Sequence, residues 1–312
     1  HVRLGWTDAA EPRMVVTADG YDDEAIAGAI REQAAMCVAP GGWIGCNLQG
    51  ELWKGKKAVF SPRVKISNPK MQWPNLQKER LLGINKEVEG EIQQGYAINL
   101  DLIGALGEPA YWYFTSSGPK PDGGASRWEM KARNQGQDFV SNRLRQLARI
   151  VADRDATAIV SGLIGYTVED EAYEGKRSDE SRTATGLTSP RFTDSALAWC
   201  ALWGISSFPV IHRLTGASVT AGAEPIGEFT PTHLVLPVLV GPHSLGRWRA
   251  MVVSEQVIQA MEKAESAVAA RPARAWLVAH GARAILTFRV NVSDNDKAPE
   301  RFLGTGRLEV LT

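Results

Sequence analysis

The sequence predicts an α+β protein with a sheet-containing N-terminal half and a helix-rich C-terminal half. Apolar residues recur at helical spacing in 22–38 and 140–154, where they would form one buried face of each helix. Alternation and aromatic content in 96–103 and 110–115 are typical of β-strands. Residues 196–204 are apolar on every side, which predicts a buried helix that contains two tryptophans.

The remaining elements follow from local start and stop signals. Asp22 and the acidic residues after it favour a helix N-terminus, and Asp194 or Thr193 is the expected cap of the apolar helix. Ser244 is expected to cap a helix that extends to 253. We further predict strands over 1–6, 208–214 and 234–240, helices over 155–165 and from 254 to about 270, and a hairpin of 276–279 with 284–292 around His280 and Gly281. The Gly-, Pro- and Ser-rich segment 116–124 divides the chain into an N-terminal region, 1–124, and a C-terminal region, 125–312.

The stretch 181–253 alternates polar, arginine-bearing loops with elements that must be buried. Within it, Trp199 and Trp203 are four residues apart and share a helix face, which we expect to pack against the strand at 208–211. This pattern is typical of a scaffold that presents loops to a large partner, and it is unusual for a catalytic cluster.

The net charge of the chain gives no indication that it binds nucleic acid or a membrane. The chain has 312 residues, of which 44% are hydrophobic and 22% charged, and its formal net charge is zero. An anion-binding surface must therefore be local. Cys37, Cys46 and Cys200 are few and scattered, which argues against a disulfide framework and a cysteine zinc site and favours a reduced, cytoplasmic compartment. No segment of membrane-spanning length and no signal peptide are visible, and the start at His1 leaves open whether residues precede it.

Residues that carry catalysis in other proteins form no recognisable pattern. The five histidines lack metal-ligand spacing, and the phosphate-loop and nucleophile-elbow motifs are absent from the sequence. Gly304 to Gly306 lacks the strand-then-helix context of a dinucleotide fingerprint. We therefore predict a protein that is not an enzyme, with no cofactor and no metal. Two alternatives stay open: a soluble enzyme with an apolar pocket between the two regions that uses His212 or His243, and a purely structural assembly subunit.

Residues 51–80 are compositionally distinct because basic residues outnumber acidic ones and alternate with aromatic ones. Pro69 and Pro74 disfavour a long helix, so loops and short strands are expected. Basic and aromatic residues on extended backbone suit a surface that tracks phosphates and stacks bases. The alternative is a solvated basic loop whose tryptophans anchor it to the core. The basic residues are Lys54, Lys56, Lys57, Arg63, Lys65, Lys70, Lys78 and Arg80, the acidic ones Glu51 and Glu79, and the aromatic ones Trp53, Phe60 and Trp73.

Several short motifs in 130–253 resemble, in order and spacing, those of subunits of type I CRISPR interference (Cascade) complexes. The likeness is greatest to the divergent, large-subunit-like proteins of the I-G (formerly I-U) and related subtypes, although the chain is short for a large subunit. The motifs are Asn-Gln-Gly-Gln-Asp-Phe at 134–139, Leu-Ile-Gly-Tyr at 163–166, Ser181-Arg182, Ala-Trp-Cys-Ala-Leu-Trp-Gly-Ile-Ser-Ser-Phe-Pro-Val at 198–210, Leu-Pro-Val at 236–238 and Gly-Pro-His-Ser-Leu at 241–245.

The resemblance implies a role in antiviral defence, in a surveillance complex guided by a CRISPR RNA. Such subunits help to bind target double-stranded DNA, recognise its flanking motif, hold the displaced strand and recruit a helicase–nuclease, next to other subunits of the complex and away from membranes. Base pairing then supplies sequence specificity, and the protein contacts the backbone and the flanking motif.

The loops 54–70, 131–137 and 182–191 are the places where we expect nucleic acid to bind. Asn and Gln side chains can read base edges, so Asn134, Gln135 and Gln137 are candidates for reading the flanking motif. For each residue the alternative is an ordinary polar surface side chain. The full candidate set is Lys54, Lys56, Lys57, Arg63, Lys65, Asn68, Lys70, Lys131, Arg133, Asn134, Gln135, Gln137, Arg182 and Arg191.

Overall fold

A computed structural model describes residues 2–55, 57–94, 98–108, 114–116, 118–119, 121–129, 139–166, 194–213, 216–261, 267–292 and 301–311. Its helices are α1 (Asp23–Val38), α2 (Pro69–Gln94), α3 (Ile98–Leu106), α4 (Pro121–Gly124), α5 (Arg145–Asp153), α6 (Ala156–Leu163), α7 (Ser195–Trp203), α8 (Leu245–Val252), α9 (Glu255–Gln259) and α10 (Ala267–Ala279). Its strands are β1 (Val2–Trp6), β2 (Met14–Ala18), β3 (Phe114–Thr115), β4 (Gly118–Pro119), β5 (Val210–Ile211), β6 (Val219–Thr220), β7 (Ala223–Glu224), β8 (His233–Leu239), β9 (Ala282–Val292) and β10 (Arg301–Val310).

The largest sheet in the described part of the chain is antiparallel, with the strand order β10-β9-β8-β7. Alternate residues of β8 point to its two faces. Val235 and Leu239 face a cluster that includes Trp248 of α8 and Leu277 of α10. The opposite face carries Val238, against which Trp6 of the β1–β2 hairpin packs together with neighbouring apolar side chains. The sheet is therefore covered by helices on one face and partly by the hairpin on the other.

The larger hydrophobic core lies among the helices and joins residues from both sides of 116–124. Its largest fully buried side chains include Trp43, Phe60, Phe139 and Trp199. Helix α1 contributes Ala27, Ala34 and Cys37 and packs against α5 and α6. The α+β class is confirmed, but its distribution differs from the expectation. The N-terminal region carries the long helices, and the four-stranded sheet belongs to the C-terminal region. The boundary at 116–124 stays a prediction.

Predictions that depended on local capping are confirmed. Asp22 accepts a hydrogen bond from the backbone N–H of Ala25 at 2.8 Å, and α1 begins at the next residue. Asp194 caps α7, and Ser244 caps α8 through the N–H of Arg247 at 3.2 Å. The helix expected over 155–165 is α6, and the one over 140–154 is a π-helical turn, Phe139–Leu144, that continues into α5. Strands were also correctly expected at β1 and β8.

Two predictions in the N-terminal region are wrong. The segment 96–103 was expected as a strand, but residues 98–103 belong to helix α3, and 96–97 lie outside the described part. Leu102, Ile103 and Leu106 form a buried helical face that a short alternating run does not reveal. The long helix that the prolines argued against is present as α2. Pro69 occupies its first position, where the missing N–H costs nothing, and burial of Trp73 offsets the break at Pro74. Residues 110–113 lie outside the described part, and 114–115 form β3.

Three predictions in the C-terminal region also need correction. Residues 276–279 are the end of α10, so β9 pairs with β8 and β10 instead of forming the expected hairpin. The helix expected from 254 ends at Gln259 as α9, and 262–266 lie outside the described part. The expected strand over 208–214 is limited to β5, with 214 outside the described part.

The tryptophans of α7 share a face, as expected, but their aromatic neighbours differ from the prediction. The Trp203 ring lies 5.5 Å from that of Trp199 and 6.4 Å from that of Trp43, centroid to centroid. The ring of Phe208 lies instead against Trp128 and Trp248. Helix α7 is thus embedded in the helical core, where α5 and α6 pack against it. In the part of the chain that the structure covers, no helix combines the length and the apolarity that crossing a membrane requires.

Candidate nucleic-acid interface

The basic segment 51–80 is divided between a loop and the first turns of α2, which begins at Pro69. We call the loop, residues 46–68, the lysine loop. Its two arms are joined by backbone hydrogen bonds from Leu48 N–H to the carbonyl of Lys57, at 2.7 Å, and from Val59 N–H to the carbonyl of Cys46, at 3.0 Å. A turn at the tip is closed by the N–H of Trp53, which donates to the carbonyl of Gly50 at 3.2 Å. The lysines near the tip are therefore carried by a hydrogen-bonded backbone.

The aromatic side chains of this segment anchor it to the core. Trp53 is buried, and its indole N–H donates to Asn75 Oδ1 in α2 at 2.7 Å. Phe60 and Trp73 are buried as well. The expectation that these rings stack on bases is wrong, because base stacking needs an exposed ring face. The alternative interpretation, in which tryptophan fixes the loop to the protein, describes their role.

Gln72 in the first turns of α2 holds the tip and the C-terminal end of the lysine loop. Its side-chain oxygen accepts from the backbone N–H groups of Ser67 and Asn68, at 2.7 and 2.8 Å. Its amide nitrogen donates to the carbonyl of Leu52 at 2.6 Å. Gln72 is itself buried, so these bonds are shielded from water and fix the tip relative to the start of α2.

Four of the predicted lysines lie on this framework or directly after it, at 54, 57, 65 and 70. Lys54, Lys65 and Lys70 are exposed, whereas Lys57 is half-buried. The Lys57 ammonium lies 5.7 Å from the Trp53 ring centroid and donates to the main-chain carbonyl of Lys65 at 3.2 Å. Burial, and then the charge of Lys65, lower the pKa of Lys57. Two positive charges thus lie close together at the surface, where an anion would relieve their repulsion.

Two basic residues of the segment face the interior. Arg63 forms an ion pair with Glu129, whose side chain is fully buried. Arg80, in α2, pairs with Glu108 and donates to the carbonyl of Val59 at 2.8 Å. Such guanidinium groups hold the loop against the body of the protein, because separating a buried ion pair is costly.

Of the other predicted residues, one, Asn68, is described by the structure and eight lie outside the described residues. Asn68 is exposed, and its carbonyl accepts the N–H groups of Met71 and Gln72 at the start of α2. The structure therefore brings Lys54, Lys57, Lys65, Asn68 and Lys70 to the lysine loop and its junction with α2. Lys56, Lys131, Arg133, Asn134, Gln135, Gln137, Arg182 and Arg191 lie outside the described residues, and their roles stay predictions.

A cleft of about 490 Å³ borders the lysine loop and was not predicted from the sequence. Its lining includes Cys46 and Asn47 from the loop and Lys86 from α2. Lys86 donates to the carbonyl of Gly41, another lining residue, at 2.7 Å. Arg145 donates to the carbonyl of Ile44 at 2.7 Å and to Asn47 Oδ1 at 3.2 Å. These long-range contacts leave no signal in local sequence.

Arg145 and its neighbour Arg149 add positive charge near this side of the loop. Burial, and then the charge of Arg149, lower the pKa of Arg145. Arg149 is exposed on α5. Arg149 thus lies on the exposed face of α5, whereas Leu147 and Val151 are buried. Arg145 is instead turned toward the loop, where it supports Asn47.

The histidines of the described chain make local contacts. His212 Nδ1 lies 3.0 Å from Ser218 Oγ, and burial lowers the pKa of His212. His243 Nε2 lies 3.2 Å from the carbonyl of Val240. His280 stacks on Trp276 with ring centroids 3.9 Å apart. Within the described ranges, no three side chains of His, Cys, Asp or Glu are grouped so that they could hold a metal ion.

The comparisons with known proteins give no relative for this chain. Neither a protein-family model, nor a curated protein, nor a solved structure matches it.

Proposed function

We propose that this chain is a nucleic-acid-binding subunit of a type I CRISPR RNA-guided surveillance complex, and that the lysine loop contacts the phosphate backbone. The motif order in 130–253 supports the assignment to such a complex, by its resemblance to divergent large-subunit-like proteins. The observation that carries the nucleic-acid contact is the grouping of Lys54, Lys57 and Lys65 on one hydrogen-bonded loop.

Phosphate binding suits this grouping for an electrostatic reason. The ammonium of Lys57 is partly desolvated and close to the charge of Lys65, and both effects lower its pKa, so protonation of Lys57 is less favourable than that of a fully solvated lysine. A phosphate between the two lysines would remove that penalty and add charge-assisted hydrogen bonds. Because Trp53 and Gln72 fix the loop, little conformational entropy is lost when the phosphate binds.

We assign phosphate contact, target specificity and reading of the flanking motif to different parts of the complex. Lysines bind phosphate as point charges and read no sequence, so the lysine loop positions the duplex. Base pairing with the CRISPR RNA supplies target specificity. Reading of the flanking motif is assigned to Asn134, Gln135 and Gln137, and the complex acts in the cytoplasm together with its other subunits and a helicase–nuclease.

The test replaces Lys54, Lys57 and Lys65 together with alanine and measures binding of the assembled complex to target double-stranded DNA over a range of salt concentrations. For every phosphate that the variant no longer binds, the slope of log affinity against log salt should fall by about 0.9. The affinity at fixed salt should fall in parallel, for matched and unmatched flanking sequences alike. The melting temperature of the chain should change little, because the loop is held chiefly by Trp53, Gln72 and Arg63.

A matched control replaces three exposed arginines on other elements, Arg31, Arg271 and Arg283, and so removes the same charge. It should leave the salt slope within error of the wild type. Equal slopes for wild type, control and triple mutant would reject the lysine loop as a phosphate-binding element. A chain that assembles with the complex and still shows this result would be a structural subunit. If the chain copurifies with neither RNA nor partner proteins, the proposal that it is a subunit of such a complex is wrong.

A further inference from the structure

The β1–β2 hairpin presents one exposed strand edge. It is attached to the protein through β1, where Leu4 and His243 exchange two backbone hydrogen bonds of 2.7 Å. Strand β2 pairs with β1 on its inner side. Among the described residues, no strand pairs with the outer side of β2. The hairpin is therefore a two-stranded ribbon with one side open.

The direction of the backbone groups of β2 follows from the bonds of Leu4. Leu4 is directly opposite Val16, but its N–H and C=O are both directed at His243. The pair Leu4–Val16 is therefore a non-hydrogen-bonded pair, and the N–H and C=O of Val16 point away from β1. Along the ribbon, hydrogen-bonded and non-hydrogen-bonded pairs alternate, so the pair Thr7–Arg13, three positions further on, should be hydrogen-bonded. It is, because the N–H of Thr7 donates to the carbonyl of Arg13 at 2.9 Å. Val16, and Met14 by the same alternation, thus present backbone donors and acceptors at the outer edge.

The side chains of β2 are apolar and exposed, which is unusual for an edge strand. Met14, Val15 and Val16 have exposed fractions of 48%, 45% and 52%. Proteins normally protect such edges with lysine, proline or a bulge, because an unprotected edge recruits another strand. The sequence Met-Val-Val-Thr-Ala contains none of these devices.

We propose that β2 is the docking site for an extended segment of a partner polypeptide, which adds to the hairpin as a third strand and carries basic residues beside its apolar ones. Main-chain hydrogen bonds to the outer edge would give affinity, and alternate side chains would cover the exposed valines. This inference concerns protein–protein contact and does not rest on nucleic-acid binding by the lysine loop.

The charge around the hairpin decides the chemistry of the partner. Residues 2–24 contain six acidic and two basic side chains, all of them exposed. The acidic ones follow both ends of the ribbon, at Asp8 and Glu11 and again from Asp19 to Glu24. A second copy of this chain would bring like charges together, which is unfavourable across an interface, whereas a basic segment is attracted.

The experiment uses the purified chain and a short synthetic peptide of alternating valine and threonine with a lysine at each end. Amide hydrogen exchange, read residue by residue, should slow by about tenfold or more at Met14 and Val16 when the peptide saturates the protein. Val15 and Thr17 already face β1 and should change little. The same peptide with glutamate at each end should bind more weakly, and the difference should shrink at high salt.

The variant Val16→Pro tests the edge itself. Proline is tolerated at an edge position whose N–H faces solvent, so the hairpin should remain while the docking bond is removed. Val15→Thr is the matched control, since it changes a neighbouring exposed valine and keeps the outer amides. Loss of binding in Val16→Pro with retention in Val15→Thr supports the proposal. Absence of protection, equal binding by Val16→Pro, or equal binding of the glutamate peptide would overturn it, as would self-association that protects the same amides without any peptide.

Discussion

Arg154 donates a hydrogen bond of 2.9 Å to Asp194, and the same carboxylate oxygen accepts the backbone N–H of Ala196 at 2.7 Å. Both side chains are buried. One aspartate thus caps α7 and neutralises the arginine that follows α5. The end of α5 is thereby fixed to the start of α7.

Replacing Asp194 with alanine should destabilise the protein by about 3–5 kcal/mol, because it leaves the Arg154 charge buried without this carboxylate. Loss of the cap adds to this cost. The measurement is the free energy of unfolding in urea. Asp155→Ala is the control, since Asp155 caps α6 at an exposed position and should cost about 1 kcal/mol. Equal costs for the two variants would mean that Arg154 is neutralised in another way when Asp194 is removed.

Gly162→Ala should also destabilise the protein, although alanine is the better helix former. A Cβ at Gly162 would lie 2.0 Å from Asp194 Oδ1, so the carboxylate or α6 would have to move. Gly28→Ala in α1 is the matched control, because a Cβ there meets nothing within 4 Å. It should stabilise the protein by about 0.5–1 kcal/mol. Opposite shifts of the two melting temperatures are the expected result, and two stabilising shifts would show that the Asp194 side chain moves aside easily.

Caps and strongly periodic helices could be predicted from the sequence because their causes lie within a few residues. Asp22, Asp194 and Ser244 satisfy N–H groups of the helices that they precede. Helix α3 could not be recognised, because its alternating apolar residues fit both a strand and a helix until Leu102 and Leu106 find the same core. Helix α2 depends in the same way on burial of Trp73 beyond its prolines.

In the candidate interface, too, features with local causes could be predicted and features that depend on long-range contacts could not. Local composition predicted the exposed lysines at 54, 65 and 70. It could not predict that Trp53 binds Asn75 instead of a base, or that Arg63 pairs with Glu129, since these partners are brought close only by the folded chain. The position of Arg145 beside the loop has the same origin.

Trp203→Ala should lower the free energy of unfolding by about 3–5 kcal/mol, as large-to-small changes in a packed core do. Trp203 is only 8% exposed and lies edge-on against the rings of Trp199 and Trp43. Leu197→Ala in the same helix is the control, because Leu197 is 40% exposed and its truncation should cost less than about 1 kcal/mol. A small cost at Trp203 would place this face of α7 at a surface or an interface.

Stability should fall at alkaline pH because of Cys37. Burial, and then the carboxylate of Glu87, raise the pKa of this thiol from 9.0 to about 12. Above pH 9 the unfolded chain releases the thiol proton while the folded chain keeps it, so the folded state binds more protons and loses stability as the pH rises toward 12. From pH 7 to pH 10 this one group should remove about 1.4 kcal/mol.

The Cys37→Ala variant isolates that contribution from the other groups that titrate in the same range. At pH 7 it should differ from the wild type by a constant amount, which reflects poorer packing and removal of the 3.3 Å hydrogen bond from Gln33 Nε2 to the sulfur. Between pH 9 and pH 10 its stability should decline less steeply than that of the wild type, so the two curves of unfolding free energy against pH should converge. Parallel curves would mean that the Cys37 thiol ionises as readily in the folded protein as in the unfolded chain, and that this part of the core is open to water.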